Sequence, residues 1–211
     1  MSKKIDKIGL GLITYNRPEY CRQALESLEA NNWGGATLRL VYEDCSDPKY
    51  KLQYDTIERL WKDKCTFIRA TENYGVAVGK NTLLIDMFEK QCDYMFTMED
   101  DIIMKNKNTC EYYIRYSDIS KCQYLNFGLH GTMNHKDQPI YFQGLLCYPN
   151  CIGAFSMHTR ELIEVIGYYD DNFKNAWEHV EYYWRAAEEG FTTPFWYFAD
   201  YPKSYNLLEE I

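Results

Sequence analysis

The first hundred residues alternate short apolar runs with amphipathic stretches, and each apolar run ends in a polar cluster. Ile8–Thr14 closes on Tyr15-Asn16-Arg17-Pro18, and residues 37–42 close on Glu43-Asp44-Cys45-Ser46-Asp47. Residues 65–70 lead to Asn73-Tyr74-Gly75, and residues 94–98 run into Glu99-Asp100-Asp101. Short apolar runs bounded by turn residues predict buried strands, and the segments between them carry helical spacing. Pro18 followed by Glu19 opens a helix in which Tyr20, Ala24, Leu25 and Leu28 share a face; Asn31-Asn32-Trp33-Gly34-Gly35 ends it. Further helices are expected around 55–61 and 78–88. Strands alternating with helices imply right-handed βαβ units, hence an α/β chain with a mainly parallel central sheet flanked by helices. Such sheets bind ligands beyond the carboxyl ends of their strands. Four polar clusters far apart in sequence therefore converge on one rim.

At 211 residues the chain has room for one domain with a sizeable core. A net charge of -8 disfavours an extended grip on nucleic acid or on an anionic membrane. The first residues are charged, and no run approaches the roughly 18 apolar residues of a membrane span. A soluble, cytoplasmic protein is expected. Eight cysteines are scattered singly, without metal-site spacing, which predicts reduced, structural thiols. Twenty tyrosines exceed what a core of this size uses, so some are expected to line a groove for sugars or bases and others to sit at the surface or in an oligomer contact.

Beyond residue 105 the pattern is less regular. Gly128-Leu129-His130-Gly131 and Lys136-Asp137-Gln138-Pro139 mark turns, residues 153–157 read as a strand, and 159–166 as a helix capped by Thr159 and stopped by Gly167. A last helix carries Trp177-Glu178-His179-Val180-Glu181-Tyr182-Tyr183-Trp184-Arg185 and stops at Gly190.

The acidic triplet bears most directly on chemistry. Three adjacent carboxylates at a strand end raise one another's pKa unless they share a cation. Hard oxygen ligands of this kind suit Mg²⁺ or Mn²⁺; a solvated strand end is the other reading. An ionised Asp44 can accept the N3–H of uracil while Tyr15 packs on the ring, or it can serve only as a turn carboxylate. Arg17 and Lys80 either neutralise phosphate or are solvated. Glu181 pairs with Arg185 one turn on and reads as structural.

The ordered series resembles the family 2 glycosyltransferases with the GT-A (Rossmann-like) fold, over roughly residues 8–191. Ile13-Thr14-Tyr15-Asn16-Arg17 is similar to the family's first strand and nucleotide loop, and Glu43-Asp44-Cys45-Ser46-Asp47 to its acidic turn. Asn73-Tyr74-Gly75 with Gly79-Lys80-Asn81 resembles its Asn-x-Gly and small-Arg-Asn segment, with lysine in place of arginine. Glu99-Asp100-Asp101 stands where the family carries its Asp-x-Asp metal motif, and Gly167 to Phe173, then Glu178 and Arg185, are similar to the segment ending in Glu-Asp and a helical arginine.

The resemblance implies a single domain over 1–211, with a nucleotide-binding half to about residue 104 and an acceptor and catalytic half beyond. It implies a nucleotide-sugar donor, a UDP-sugar foremost, held by Thr14, Tyr15, Arg17, Asp44, Asn73, Gly75, Lys80, Glu99 and Asp100. Mn²⁺ or Mg²⁺ would be held by Asp101 with Asp100, and inversion at the anomeric carbon would need a base on Glu178-His179. The family's usual aspartate base aligns with His179, for which three roles are open: base, metal ligand or ordinary helix histidine. Glu178 is the next candidate. The acceptor is open among glycan, protein, small molecule and, disfavoured by charge, modified nucleic acid. Two other functions share these features: a nucleotidyltransferase of similar fold, for which Gly9-x-Gly11 is a poor phosphate loop, and a non-catalytic protein that binds nucleotide sugar or glycan.

Overall fold

Apolar side chains alternate along the first strand, so it can be buried on both faces at once. Leu10 and Leu12 enter one apolar cluster and Ile13 the other, while Gly9 and Gly11 lie against Met87 and Leu83. Gly9 and Gly11 thus serve helix packing, not a phosphate loop. The computed structural model describes residues 6–131 and 138–211. In chain order the elements are β1 Ile8–Thr14, α1 Pro18–Ala30, β2 Leu38–Glu43, α2 Lys51–Trp61, β3 Thr66–Arg69, α3 Val76–Glu89, β4 Tyr94–Glu99, β5 Ile102–Met104 and α4 Thr109–Ser120. They continue with β6 Tyr124–Asn126, β7 Ile140–Phe142, β8 Leu145–Tyr148, β9 Phe155–Thr159, α5 Arg160–Ile166, α6 Glu178–Glu188, β10 Phe198–Asp200 and β11 Leu208–Glu210.

The central sheet has six strands in the order β3-β2-β1-β4-β9-β6. β1, β2, β3 and β4 are parallel, with Ile13 opposite both Tyr42 and Glu99, so their carboxyl ends finish level. β9 runs antiparallel between β4 and β6. On one face α1, α2 and α4 bury Leu25, Leu28, Tyr54, Ile57 and Tyr113 against Phe96 and Met98; on the other α3, α5 and α6 bury Leu83, Met87, Leu162 and Tyr182 against Leu40 and Met95. Both layers draw on residues before and after position 105, so the two halves share their cores in a single α/β domain.

Thr159 caps α5 by accepting the Leu162 N–H, and Gly167 ends it with a φ of 75°, as the sequence predicts. α4, β5 and the two C-terminal strands are additions to the sequence reading. β11 pairs antiparallel with β5 directly after the acidic triplet, and the Ile211 N–H reaches the Asp101 carbonyl at 2.9 Å. β10, β8 and β7 form a separate small sheet. The turn expected at Lys136-Asp137-Gln138-Pro139 lies partly outside the described residues. All eight cysteines are free thiols. Among the described residues no helix is long and apolar enough to cross a membrane.

Candidate active site

The loops after β1 and β2 are pinned to each other before any ligand is considered. Asn16 takes a left-handed φ of 55°, its N–H donates to Ser46 Oγ at 2.8 Å, and its side-chain oxygen accepts the Asp47 N–H at 2.7 Å. Asp44, the last buried carboxylate of this edge, gathers the turn ahead of α3. It accepts the Tyr74 and Gly75 N–H groups at 2.9 and 2.8 Å, Asn73 Nδ2 at 3.0 Å and the Tyr42 hydroxyl at 3.2 Å. Gly75 has to be glycine: its φ is 91°, and a Cβ there would meet the Lys174 carbonyl oxygen at 2.3 Å.

These contacts shape a cleft of about 170 Å³ lined by Thr14, Tyr15, Arg17, Asp44, Asn73, Gly75 and Glu99 together with Lys174 and Asn175. Seven residues singled out in the sequence therefore meet at one place. Lys174 and Asn175 were not among them, because the segment ahead of α6 carries no pattern that ties it to the first strands. Asp100, Asp101 and Lys80 are bonded to the lining rather than part of it.

The acidic triplet is divided between two cations. Arg17, about 42% exposed, reaches Asp100 Oδ1 at 2.5 Å and Asp101 Oδ2 at 3.1 Å. Asp100 is fully buried and also accepts the Thr14 hydroxyl at 2.7 Å. Burial pushes its carboxyl up to about 7, against the pull of Arg17 and Thr14. Burial opposes the charge of Arg17, but Asp100, Asp101 and Glu99 outweigh it and raise the guanidinium further.

Lys80 departs furthest from the sequence expectation. It is wholly buried, and its Nζ lies 3.0 Å from Glu99 Oε1, 2.7 Å from Glu178 Oε1 and 3.0 Å from the Gly153 carbonyl. Burial works against its charge, yet Glu99 and Glu178 hold the ammonium well above the ordinary lysine range. Glu178 is correspondingly held well below the usual carboxylate range: burial is outweighed by Lys80 and His179.

His179 Nδ1 sits 3.3 Å from Glu178 Oε1, and Nε2 donates to the Cys151 carbonyl at 2.8 Å. Both ring nitrogens thus face acceptor oxygens, and neither is turned toward an incoming hydroxyl. Gly153 permits this packing, with φ at 77° and His179 Cγ only 2.6 Å from where its Cβ would stand. Beyond His179 opens a second cavity of about 700 Å³, walled by Trp177, Trp184, Trp196, Tyr183 and Phe198. The chain Glu99, Lys80, Glu178, His179 therefore runs from one cavity to the other.

The remaining histidines lie away from this line. His158 is buried behind Lys80, where Tyr169 donates to Nε2 at 2.9 Å and Nδ1 donates to the Met95 carbonyl at 3.3 Å. His130 is 3.7 Å from Glu210.

Asp101 Oδ1 is buried without a hydrogen-bond partner, and beside it Asp100 Oδ1 is met only by the half-exposed Arg17 guanidinium. That donor set fits a hard divalent cation, which is commonly held by one or two carboxylates and completed by phosphate and water. Among the described residues no three acidic, His or Cys side chains are grouped to hold a metal by themselves.

In fold the chain is similar to the mannosyltransferase PcManGT from Pyrobaculum calidifontis, solved in complex with GDP-Man and Mn²⁺, at a TM-score of 0.64 and 14% identity over 93% of this chain and 57% of that one. It is similar to S. aureus TarS 1-349 in complex with UDP, at a TM-score of 0.57 and 16% identity over 83% of this chain and 54% of that one. GalNAc-T7 with UDP, GalNAc and Mn²⁺ aligns at a TM-score of 0.66 and 11% identity, covering 95% of this chain and 43% of that one. The chain spans about half the length of these structures. No protein-family profile and no curated sequence matches it. The architecture is that of a GT-A-like glycosyltransferase fold.

Proposed function

We propose that the protein transfers a sugar from a nucleotide-sugar donor, a UDP-sugar foremost, to an acceptor hydroxyl, with inversion at the anomeric carbon. One observation carries this reading: a buried carboxylate, Glu178, stands between a base-sized cleft at the strand ends and a larger cavity, wired to both. The likeness in fold to proteins solved with a nucleotide sugar or with UDP supports it.

Tyr15 and Asp44 sit where a uracil ring would enter the cleft. For Asp44 to accept the N3–H it has to share oxygens that already hold the turn before α3, so base binding and the order of that turn are coupled. Asp101, with Asp100, would hold Mn²⁺ or Mg²⁺ once Arg17 turns outward, and Arg17 is exposed enough to do so. When bound, the cation would neutralise the diphosphate and ease its departure as a Lewis acid.

The acceptor oxygen attacks the anomeric carbon as the carbon–oxygen bond to diphosphate breaks. The bonding pair leaves with the diphosphate, and the hydroxyl proton passes to Glu178. Because Lys80 and His179 depress the proton affinity of Glu178, that transfer comes late, as the new bond forms and the hydroxyl becomes acidic. His179 then acts as a positioning residue that fixes the carboxylate.

The test is donor hydrolysis with Mn²⁺ present, followed by identification of the product. Nucleoside diphosphate supports the transferase; pyrophosphate would assign the chain to nucleotidyl transfer, and binding without turnover to a non-catalytic protein. Glu178→Gln should lower turnover by about 10² to 10⁴-fold with donor affinity retained. Unchanged turnover in that variant would remove Glu178 from the base role.

A further inference from the structure

The 700 Å³ cavity beyond His179 has a character unlike the rest of this highly charged surface. Three of the five tryptophans surround it with their rings left open to solvent: Trp177 is 66% exposed, Trp184 47% and Trp196 62%. Clustered exposed indoles forgo the stabilisation that burial would bring, and such patches mark binding surfaces. Trp184 and Trp196 lie 4.9 Å apart between ring centroids at 41°, forming one continuous aromatic wall. Trp177 holds a left-handed φ of 73° at the start of α6, a strained conformation for so large a residue. Among the described residues the lining contains no Lys, Arg, Asp or Glu. His179, on the wall, brings the cavity next to Glu178.

We propose that this cavity is the acceptor site and that it takes a neutral oligosaccharide; the inference rests on the transferase reading and names its substrate class. A pyranose ring has an apolar C–H face and a hydroxyl edge, so it can lie flat on an indole while its edge stays wet. An acyl chain would call for an enclosed apolar channel, not flat platforms open at one side. A phosphorylated or acidic acceptor would meet no lysine or arginine among the described lining residues. The volume falls within the range of about 300 to 1,000 Å³ usual for ligand pockets and has room for more than one ring. Every ring also carries the hydroxyl that must reach Glu178. There its oxygen bonds to the anomeric carbon, its proton goes to the carboxylate, and the nucleoside diphosphate leaves with the electron pair.

The experiment is binding of the intact chain to an array of neutral, sialylated and sulfated glycans. Tryptophan fluorescence titration follows, using the retained neutral glycan, its sialylated form and 1-octanol, with UDP and Mn²⁺ titrated on the same samples. The proposal expects saturable binding of a neutral glycan, weakened roughly tenfold or more in Trp184→Ala and in Trp196→Ala, the scale of one lost stacking platform. Trp184→Phe should retain most of the affinity, and UDP binding should not change in any of the three variants. Retention of acidic glycans alone, tighter binding of octanol, no neutral glycan retained, or glycan affinity indifferent to both alanine variants would each overturn it. Loss of glycan binding with UDP binding intact sinks only this assignment. Glycan binding through the tryptophans without any nucleotide binding upholds the saccharide pocket and sinks the transferase reading.

Discussion

The strand-end rim and the tryptophan cavity meet at the start of α6 but are built on opposite principles. On the rim the central charges already have protein partners: Arg17 lies across Asp100 and Asp101, and Lys80 joins Glu99 to Glu178. A diphosphate with its cation can enter only by exchanging those partners. The cavity holds no charged side chain among its described lining residues, so an occupant need only displace water from aromatic faces. The difference teaches that donor binding should be linked to protons, salt and metal, and acceptor binding to shape and apolar contact.

The sharpest way to break the comparison is to remove the cation that joins the two regions. Lys80→Met leaves Glu99 and Glu178 facing each other across a buried gap. Loss of one partner from a buried ion pair typically destabilises by about 3 to 5 kcal/mol. Denaturant unfolding should show a drop of that size, and a drop below about 1 kcal/mol would mean that Lys80 is not the keystone between the cavities.

A smaller effect tests the layer beneath the rim. Burial lowers His158 from 6.5 to about 3, so the folded protein refuses a proton that the unfolded chain accepts between those values. The stability contributed by the neutral imidazole is complete above pH 6.5 and is lost as pH falls toward 3. His158→Gln should therefore flatten the acid side of the stability profile between pH 6.5 and 4. An unchanged slope would mean that other groups dominate the acid loss.

The rim was legible in the sequence because chemistry and spacing agree there. Four apolar runs end level in a parallel sheet, and their polar ends carry Thr14, Asp44, Asn73 and Glu99. Lys80 was not legible: its partner Glu178 lies 98 residues away, and a helical lysine ordinarily reads as solvated. α4 was hidden because Tyr112, Tyr113 and Tyr116 are both apolar and polar, which blurs the helical period. Two of the three wall tryptophans left a trace, since the expected last helix carries both Trp177 and Trp184, although α6 itself starts one residue after Trp177. Trp196 arrives from an irregular segment that no periodicity links to α6. The departure at His179, where a family base was expected, is met in the structure by a ring whose nitrogens face Glu178 and Cys151.

The central claim is that the acidic rim binds a nucleotide diphosphate through a shared cation. Titration calorimetry of UDP into the protein, with and without Mn²⁺, for the wild type and for Asp101→Asn, tests it most directly. The account predicts UDP binding that requires Mn²⁺ in the wild type and is lost in the variant, with thermal unfolding of the free proteins little changed. UDP affinity that is independent of Mn²⁺, or equal in the two proteins, would contradict it.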